Sequence, residues 1–253
     1  MRCNLRKSNN FTLINSQIPV AKLPVLMYHS VHPEKGEGLT ISTQKLEAQF
    51  QYLVENGFKS YHFKELINLR KFESKKNIVI TFDDAYINQL ELAVPLLKKY
   101  KLKATFFVPL NYLGKADEWN AASEAIMNLE QLRSLDSQVI ELGYHSFYHN
   151  KYPELSEAEI EEDCRLCQEF VLKNKLLFSP VLAYPYGKYP REMNVKQQFI
   201  SQLKDHGFQF GVRIGNRLNS FPFKNPFEIQ RIDVKGEFSL AKFKRKIKFG
   251  KIF

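Results

Sequence analysis

Cysteine is scarce in this chain: Cys3, Cys164 and Cys167 are the only three among 253 residues. So few thiols build no disulfide framework. Cys164 and Cys167 stand three apart inside a predicted helix, and with no second such pair they make neither a zinc ribbon nor a redox loop. No stretch approaches the ~18 consecutive apolar residues of a membrane-spanning helix. The opening residues are basic and then polar, without the apolar core or cleavage pattern of a secretory signal, which predicts residence in a reducing cytoplasm. No internal repeat or linker interrupts the chain. No glycine-rich phosphate loop follows the first strand candidate, where the sequence runs Tyr28-His29-Ser30-Val31, and this argues against dinucleotide binding.

Hydrophobic residues, by contrast, make up 44% of the chain, with 21 Phe and 12 Tyr, enough to pack one large core and too many for a disordered protein. Acidic residues are the minority, 27 against 37 basic, for a net charge of +10. The excess gathers at the end, where Lys242, Lys244, Arg245, Lys246, Lys248 and Lys251 stand with no acid among them. Residues 236–253 therefore read as a basic C-terminal tail, either solvated or resting on an anionic surface such as phospholipid, lipopolysaccharide or nucleic acid. Nucleic acid rests on charge alone and ranks last.

Short β-rich apolar runs alternate with amphipathic helical patterns. Strands are predicted over 24–28, 57–61, 77–82, 104–109, 138–142, 181–184, 208–212 and 229–234, and helices over 43–56, 86–100, 156–173 and 190–207. The first helix lines up Leu46, Phe50, Leu53 and Val54 and stops at Gly57. Leu90, Ala93, Val94 and Leu97 share one face of the second. Ser156 with Glu159 makes a capping box for the third, and Pro190 opens the fourth with Gly207 past its end. Alternation of this kind indicates parallel strands with helical crossovers. Seven or eight such units in one domain suit a closed or nearly closed α/β barrel, with an open doubly wound sheet as the alternative.

In a barrel of parallel strands the C-terminal strand ends share one rim, and the polar residues collect there. The first strand closes with His29. The strand 77–82 runs into Asp83-Asp84. The strand 138–142 leads into Gly143-Tyr144-His145-Ser146-Phe147-Tyr148-His149, and 181–184 ends in Tyr184-Pro185-Tyr186-Gly187. Each feature alone has an ordinary structural explanation: adjacent aspartates cap helices, and histidines four apart share a helix face. Together, two imidazoles and a carboxylate leave an open coordination position, as a hydrolytic zinc site requires, and a neighbouring carboxylate is free to act as base. His32, His62 and His206 have no motif around them and read as structural or solvent-exposed. Trp119 either stacks on a bound ring at the rim or packs against the barrel.

Thr81-Phe82-Asp83-Asp84 and His145-Ser146-Phe147-Tyr148-His149 resemble the first two motifs of the polysaccharide deacetylases, the NodB-homology family of carbohydrate esterases, and Leu182-Ala183-Tyr184-Pro185-Tyr186-Gly187 resembles the third. The resemblance runs from about Pro24 to Val234. It implies a distorted (β/α) barrel of seven or eight strands over 23–235, after an N-terminal arm at 1–22. It implies Asp83 as catalytic base and Asp84, His145 and His149 as ligands of one divalent metal. Zinc suits those ligands, and cobalt, nickel or iron would fit the same set. It also implies a backbone N–H near Tyr186 facing the developing oxyanion. Two departures stand out. Ala183 occupies a place where many members carry an arginine that orients the base, and Arg231 is the candidate replacement. The closing strand lacks the Leu-x-His that supplies the acid in many members. The sequence is similar to the branch acting on poly-N-acetylglucosamine-type exopolysaccharides, in which a histidine placed like His29 is the acid. The reading is a metal-dependent N-deacetylase of an N-acetylated sugar in a polysaccharide, glycolipid or saccharide precursor, cytoplasmic or peripheral on the inner membrane face. Its rivals are a carbohydrate-binding protein that has lost catalysis on the same fold, and an amidohydrolase of a small non-sugar amide.

Overall fold

Seven of the eight predicted strands close into a ring. The computed structural model describes residues 20–120 and 122–251. Within it β1 (Val25–Tyr28), β2 (Asn77–Phe82), β3 (Ala104–Val108), β4 (Ile140–Tyr144), β5 (Phe178–Ala183), β6 (Phe210–Ile214) and β7 (Ile229–Asp233) pair side by side in chain order, all parallel. The ring shuts where β7 returns to β1, with Ile232 opposite Leu26 and Asp233 opposite Met27. The strand expected at 57–61 shrinks to Lys59–Ser60, which pairs only with Asn77 and Ile78; from Val79 onward β2 takes β1 as its neighbour. The barrel is distorted between β4 and β5, where the step from Leu142 to Tyr144 lies opposite the longer step from Phe178 to Leu182. Pro180 sits in that longer step and has no N–H to give to the ladder.

Strand periodicity sorts the side chains into two layers. Val25, Val79, Phe107, Val181, Val212 and Ile229 belong to one cluster, inside the barrel. Their strand neighbours Leu26, Ile78, Ile80, Phe82 and Phe106 belong to the other, under the helices. Both faces are covered, so β1 to β4 are buried throughout. The inward parity continues past the strands. His29 follows Val25 and Met27, Asp83 follows Val79 and Thr81, His145 follows Glu141 and Gly143, and Arg231 follows Ile229. The topmost layer of the lumen is therefore polar.

The helices are α1 (Thr43–Glu55), α2 (Val94–Lys99), α3 (Glu157–Lys173), α4 (Met193–Asp205) and α5 (Leu240–Phe249), with shorter turns between. The capping box of α3 forms as expected, Ser156 accepting from the Glu159 N–H. Three expectations are corrected. The helix predicted over 86–100 opens as a π-helical turn at Gln89–Ala93, closed by the Val94 N–H on the Gln89 carbonyl. Pro95 explains the wider turn, because a regular helix would press its ring against the Glu91 carbonyl. The helix predicted from Pro190 begins at Met193, where the Glu192 carboxylate caps the N–H groups of Asn194 and Val195. The basic tail is a helix: Ser239 caps α5, and Phe243 and Ile247 are buried in the main core. Leu240, Phe243 and Ile247 stand at helical spacing, which decides the matter over the surrounding charges.

At the other end Ala21–Leu23 pairs antiparallel with Asn219–Phe221, so the boundary drawn at residue 22 falls inside a strand. Most of the 1–22 arm, with Cys3, lies outside the described residues. Among the described residues Cys164 and Cys167 are unpaired, and both are buried on the inner stripe of α3. No helix among the described residues is long and apolar enough to cross a membrane.

Candidate active site

A cavity of about 320 Å³ opens at the C-terminal rim of the barrel, and its lining includes His29, Asp83, Asp84, His145, His149, Tyr186 and Arg231, all seven residues singled out in the sequence. Four reach it by strand parity. Asp84 reaches it because the chain turns left-handed at once, with φ of 73° at Asp84 and 52° at Ala85. His145 and His149 lie on a loop, not on a shared helix face; φ of 64° at Ser146 and 56° at His149 folds that loop so both rings point inward. Tyr186 is left-handed as well, at φ 57°. Such conformations persist in non-glycine residues only where the surroundings enforce them, and here they gather at the site.

Arg231 and Asp83 form the tightest pair in the cavity. Nη1 donates to Asp83 Oδ1 at 2.5 Å and Nη2 to Oδ2 at 2.7 Å, a two-pronged contact, with Nη1 also 3.2 Å from Thr81 Oγ1. Both residues are almost wholly buried. Burial alone would raise the Asp83 carboxyl, but the Arg231 guanidinium, with His145 and His29, outweighs it and holds the group below its ordinary value. His29 Nε2 stands 3.7 Å from Asp83 Oδ2, too far for a hydrogen bond.

Asp84, His145 and His149 bring one donor atom each within 4.8 Å of one another. His145 Nε2 and His149 Nε2 lie 3.4 and 3.5 Å from Asp84 Oδ1, yet that oxygen is buried without a hydrogen-bond partner among the described residues. An orphaned carboxylate oxygen faced by two imidazole nitrogens suits a divalent cation, and the donor set is the mixed nitrogen and oxygen set that zinc accepts. The Nδ1 of His145 lies 2.8 Å from the Ala183 carbonyl oxygen, which frees Nε2 for a ligand. Burial lowers the His149 imidazole and favours its neutral form. For His145, burial is outweighed by Asp83 and Asp84, which raise it; a bound cation would displace that proton.

Three residues that sequence reasoning passed over hold this geometry. Gln89, the first residue of the π-helical turn, donates through Nε2 to the carbonyls of both His29 and Asp83, at 2.9 and 2.6 Å, and so ties the end of β1 to the end of β2. Asp163 of α3 accepts from Ser146 Oγ and the Phe147 N–H through one oxygen and from Tyr152 through the other, all within 2.9 Å, pinning the histidine loop. An aspartate on the apolar stripe of Ile160, Cys164 and Cys167 was the signal to follow. Asp117, fully buried, accepts from Tyr86 Oη at 3.1 Å and the Glu124 N–H at 2.9 Å, tying the 115–127 loop to the segment after Asp84. Of the remaining histidines, His62 caps a short helix, His32 accepts from the N–H groups of Glu34 and Lys35, and His206 pairs with Glu161. All three are structural, as expected.

The sequence profile described as polysaccharide deacetylase matches residues 70–211, more than half of the chain and most of the rim just described. Two curated relatives align over much of the domain. YxkH of Bacillus subtilis, whose name places it among polysaccharide deacetylases, is 28% identical over 76% of this chain and 64% of its own. A poly-beta-1,6-N-acetyl-D-glucosamine N-deacetylase of Staphylococcus aureus is 25% identical over 76% of this chain and 67% of its own. The chain thus spans about two thirds of the relatives it matches. Among solved structures, the deacetylase PplD of Streptococcus pyogenes has the same fold, with a TM-score of 0.76 at 21% identity over 90% of this chain and 99% of that one. The barrel is the fold of PplD, and by its sequence profile the chain belongs to the polysaccharide deacetylase family.

Proposed function

We propose that the chain hydrolyses the acetamide of an N-acetylated glucosamine-type sugar, in a polysaccharide, glycolipid or saccharide precursor, using one divalent metal held by Asp84, His145 and His149. The observation that carries this reading is the junction of two groups on one rim: three metal-type donors within 4.8 Å of one another, and beside them a carboxylate gripped at both oxygens by Arg231. A base and a ligand set side by side are what amide hydrolysis needs and what mere sugar binding does not. The name of the Staphylococcus aureus relative supports an N-acetylglucosamine substrate.

When bound, such a metal supplies Lewis-acid polarisation of the acetyl carbonyl and a water of lowered pKa. Asp83 would serve as the general base, taking a proton from the attacking water. Arg231 keeps Asp83 ionised and fixes the direction of its lone pairs, the work of the arginine whose usual place is held by Ala183. His29, next to Asp83 in the cavity, gives a proton to the departing amine, which leaves poorly without one. The backbone N–H of Tyr186, held in its left-handed turn at the cavity wall, faces the developing oxyanion. Zinc suits the donor set, and cobalt, nickel or iron would serve.

The test is acetate release from a panel of N-acetylated oligosaccharides, glycolipids and nucleotide-sugars, with and without chelator. Release from at least one N-acetylglucosamine compound, abolished by chelator and restored by added metal, is the expected result. Chelator-insensitive release, or release from small non-sugar amides alone, overturns the reading.

A further inference from the structure

The two histidines of the site are oriented by different means. His145 has its Nδ1 2.8 Å from the Ala183 carbonyl oxygen, the kind of second contact that fixes the rotation of nearly every metal-ligating imidazole. His149 has no counterpart: its Nδ1 is buried, and nothing among the described residues hydrogen-bonds to it. Aromatic rings surround it instead. The indole of Trp119 lies flat against the imidazole, ring centres 3.9 Å apart and planes 20° from parallel. Tyr186 meets the same ring at 4.9 Å and 63°.

The loop bearing Trp119 is tied to the metal-site segment on both sides. Trp119 occupies the short turn Glu118–Asn120, wound on the buried Asp117, which accepts from the Asn120 side chain at 3.2 Å and from Tyr86 at 3.1 Å. Tyr86 comes two residues after Asp84. Further along, Ile126 bridges Tyr86, and the Ile87 N–H donates to the Ala125 carbonyl. Tyr112 meets the indole at 4.8 Å and 78°. Trp119 and Asp84 therefore ride on one cross-linked unit, and the indole commits a face to His149.

We infer that Trp119 is the positioning residue of His149: its flat contact fixes the imidazole rotation that no hydrogen bond from the described residues fixes, and keeps Nε2 turned toward Asp84. The inference rests on the metal reading above. Loss of the contact that orients a ligand typically weakens metal binding by about 10–100-fold, and that is the loss expected for Trp119→Ala.

Trp119 is also the only tryptophan in the chain, so its emission reports on the site without any substitution. Metal-free protein is titrated with nickel or cobalt while emission excited at the indole band is followed. Zinc affinity of the wild type, Trp119→Ala and Trp119→Phe is then measured by competition with a chromophoric chelator. The wild type should lose emission saturably at one metal per chain. Trp119→Ala should bind zinc roughly 10–100-fold more weakly, and Trp119→Phe, which keeps a flat ring, should recover most of that affinity. A merely structural role would lower the melting temperature of the metal-free variants and leave zinc affinity unchanged, and that outcome overturns the inference. So does one bound metal per chain with unaltered wild-type emission; either result leaves the metal reading standing. No saturable binding to the wild type overturns both.

Discussion

Arg231→Met removes both donors that grip Asp83 and leaves a carboxylate that is 2% exposed without a hydrogen bond from the described residues. The next cationic candidates, His29 Nε2 at 3.7 Å and His145 Nε2 at 3.9 Å, are beyond hydrogen-bonding reach. Breaking a buried ion pair from one side costs about 3–5 kcal/mol, a large part of the ~5–15 kcal/mol that holds a domain together. The variant has one escape. Burial already pushes the Asp83 carboxyl up, and without the guanidinium it favours the neutral acid. That limits the loss of stability and abolishes the base, so the folded variant should turn over orders of magnitude more slowly. Asp83→Asn combined with Arg231→Met removes the stranded charge altogether and should be less destabilised than the two single losses added, with a coupling of about 1–3 kcal/mol. Arg231→Lys keeps the charge but not the fork and should fall between. Urea unfolding followed by circular dichroism, in chelator so that metal binding adds nothing, gives the four corners of the cycle. A coupling below about 0.5 kcal/mol, or near-normal turnover in Arg231→Met, refutes the assignment of Arg231 to Asp83.

Purified protein should carry about one divalent metal, lost in His145→Ala and His149→Ala, whereas Asp83→Asn should keep its metal and lose turnover; full occupancy in the double histidine variant, or metal-free Asp83→Asn, shows the roles misassigned. His29→Ala should slow the N-acetyl substrate by roughly 10²–10⁴-fold and an activated aryl acetate far less, since a phenolate leaves unaided, and it should retain metal. Equal losses on both substrates pass the acid role to another group. For membrane contact, Phe243 and Ile247 are buried, and Phe249 is the large apolar residue of α5 that stands exposed, beside exposed Lys244, Arg245 and Lys248. At about 1 kcal/mol for each basic residue near an anionic surface, Lys244→Glu with Arg245→Glu and Lys248→Glu should abolish flotation with anionic liposomes, and equal recovery of wild type and variant removes the membrane from consideration.

The barrel was legible because its strands are buried on both faces and read as apolar runs bounded by turns, and the run 77–82 matches β2 to the residue. What misled was local chemistry that periodicity does not weigh. Pro95 sits within an otherwise regular pattern and forces the π-helical turn. The charges on α5 hid the helical spacing of Leu240, Phe243 and Ile247. The stub at Lys59–Ser60 reads like a strand, but β1 has taken its place along most of β2, and only the pairing register decides between seven strands and eight.

The site divides along the same line, and the division has a physical cause. His29, Asp83, His145 and Arg231 continue the inward parity of β1, β2, β4 and β7, so any reader who places the strands correctly also aims these four side chains. Asp84, His149 and Tyr186 obey no such rule: each is left-handed, and a left-handed residue sends its side chain where neither a period of two nor of 3.6 would put it. Their chemistry and motif betray them, not their spacing. A left-handed backbone in a non-glycine residue must in turn be held by its surroundings, and the holders are the residues the sequence kept hidden. Asp163 grips the loop between His145 and His149, Gln89 ties the strand ends that carry His29 and Asp83, and Asp117 fastens the Trp119 loop to the segment after Asp84. Each is a lone polar side chain in a buried place, with partners 6 to 60 residues away for Gln89 alone. Burial without an apparent partner is costly, so a polar residue on an apolar stripe is itself a sign that a distant backbone needs holding.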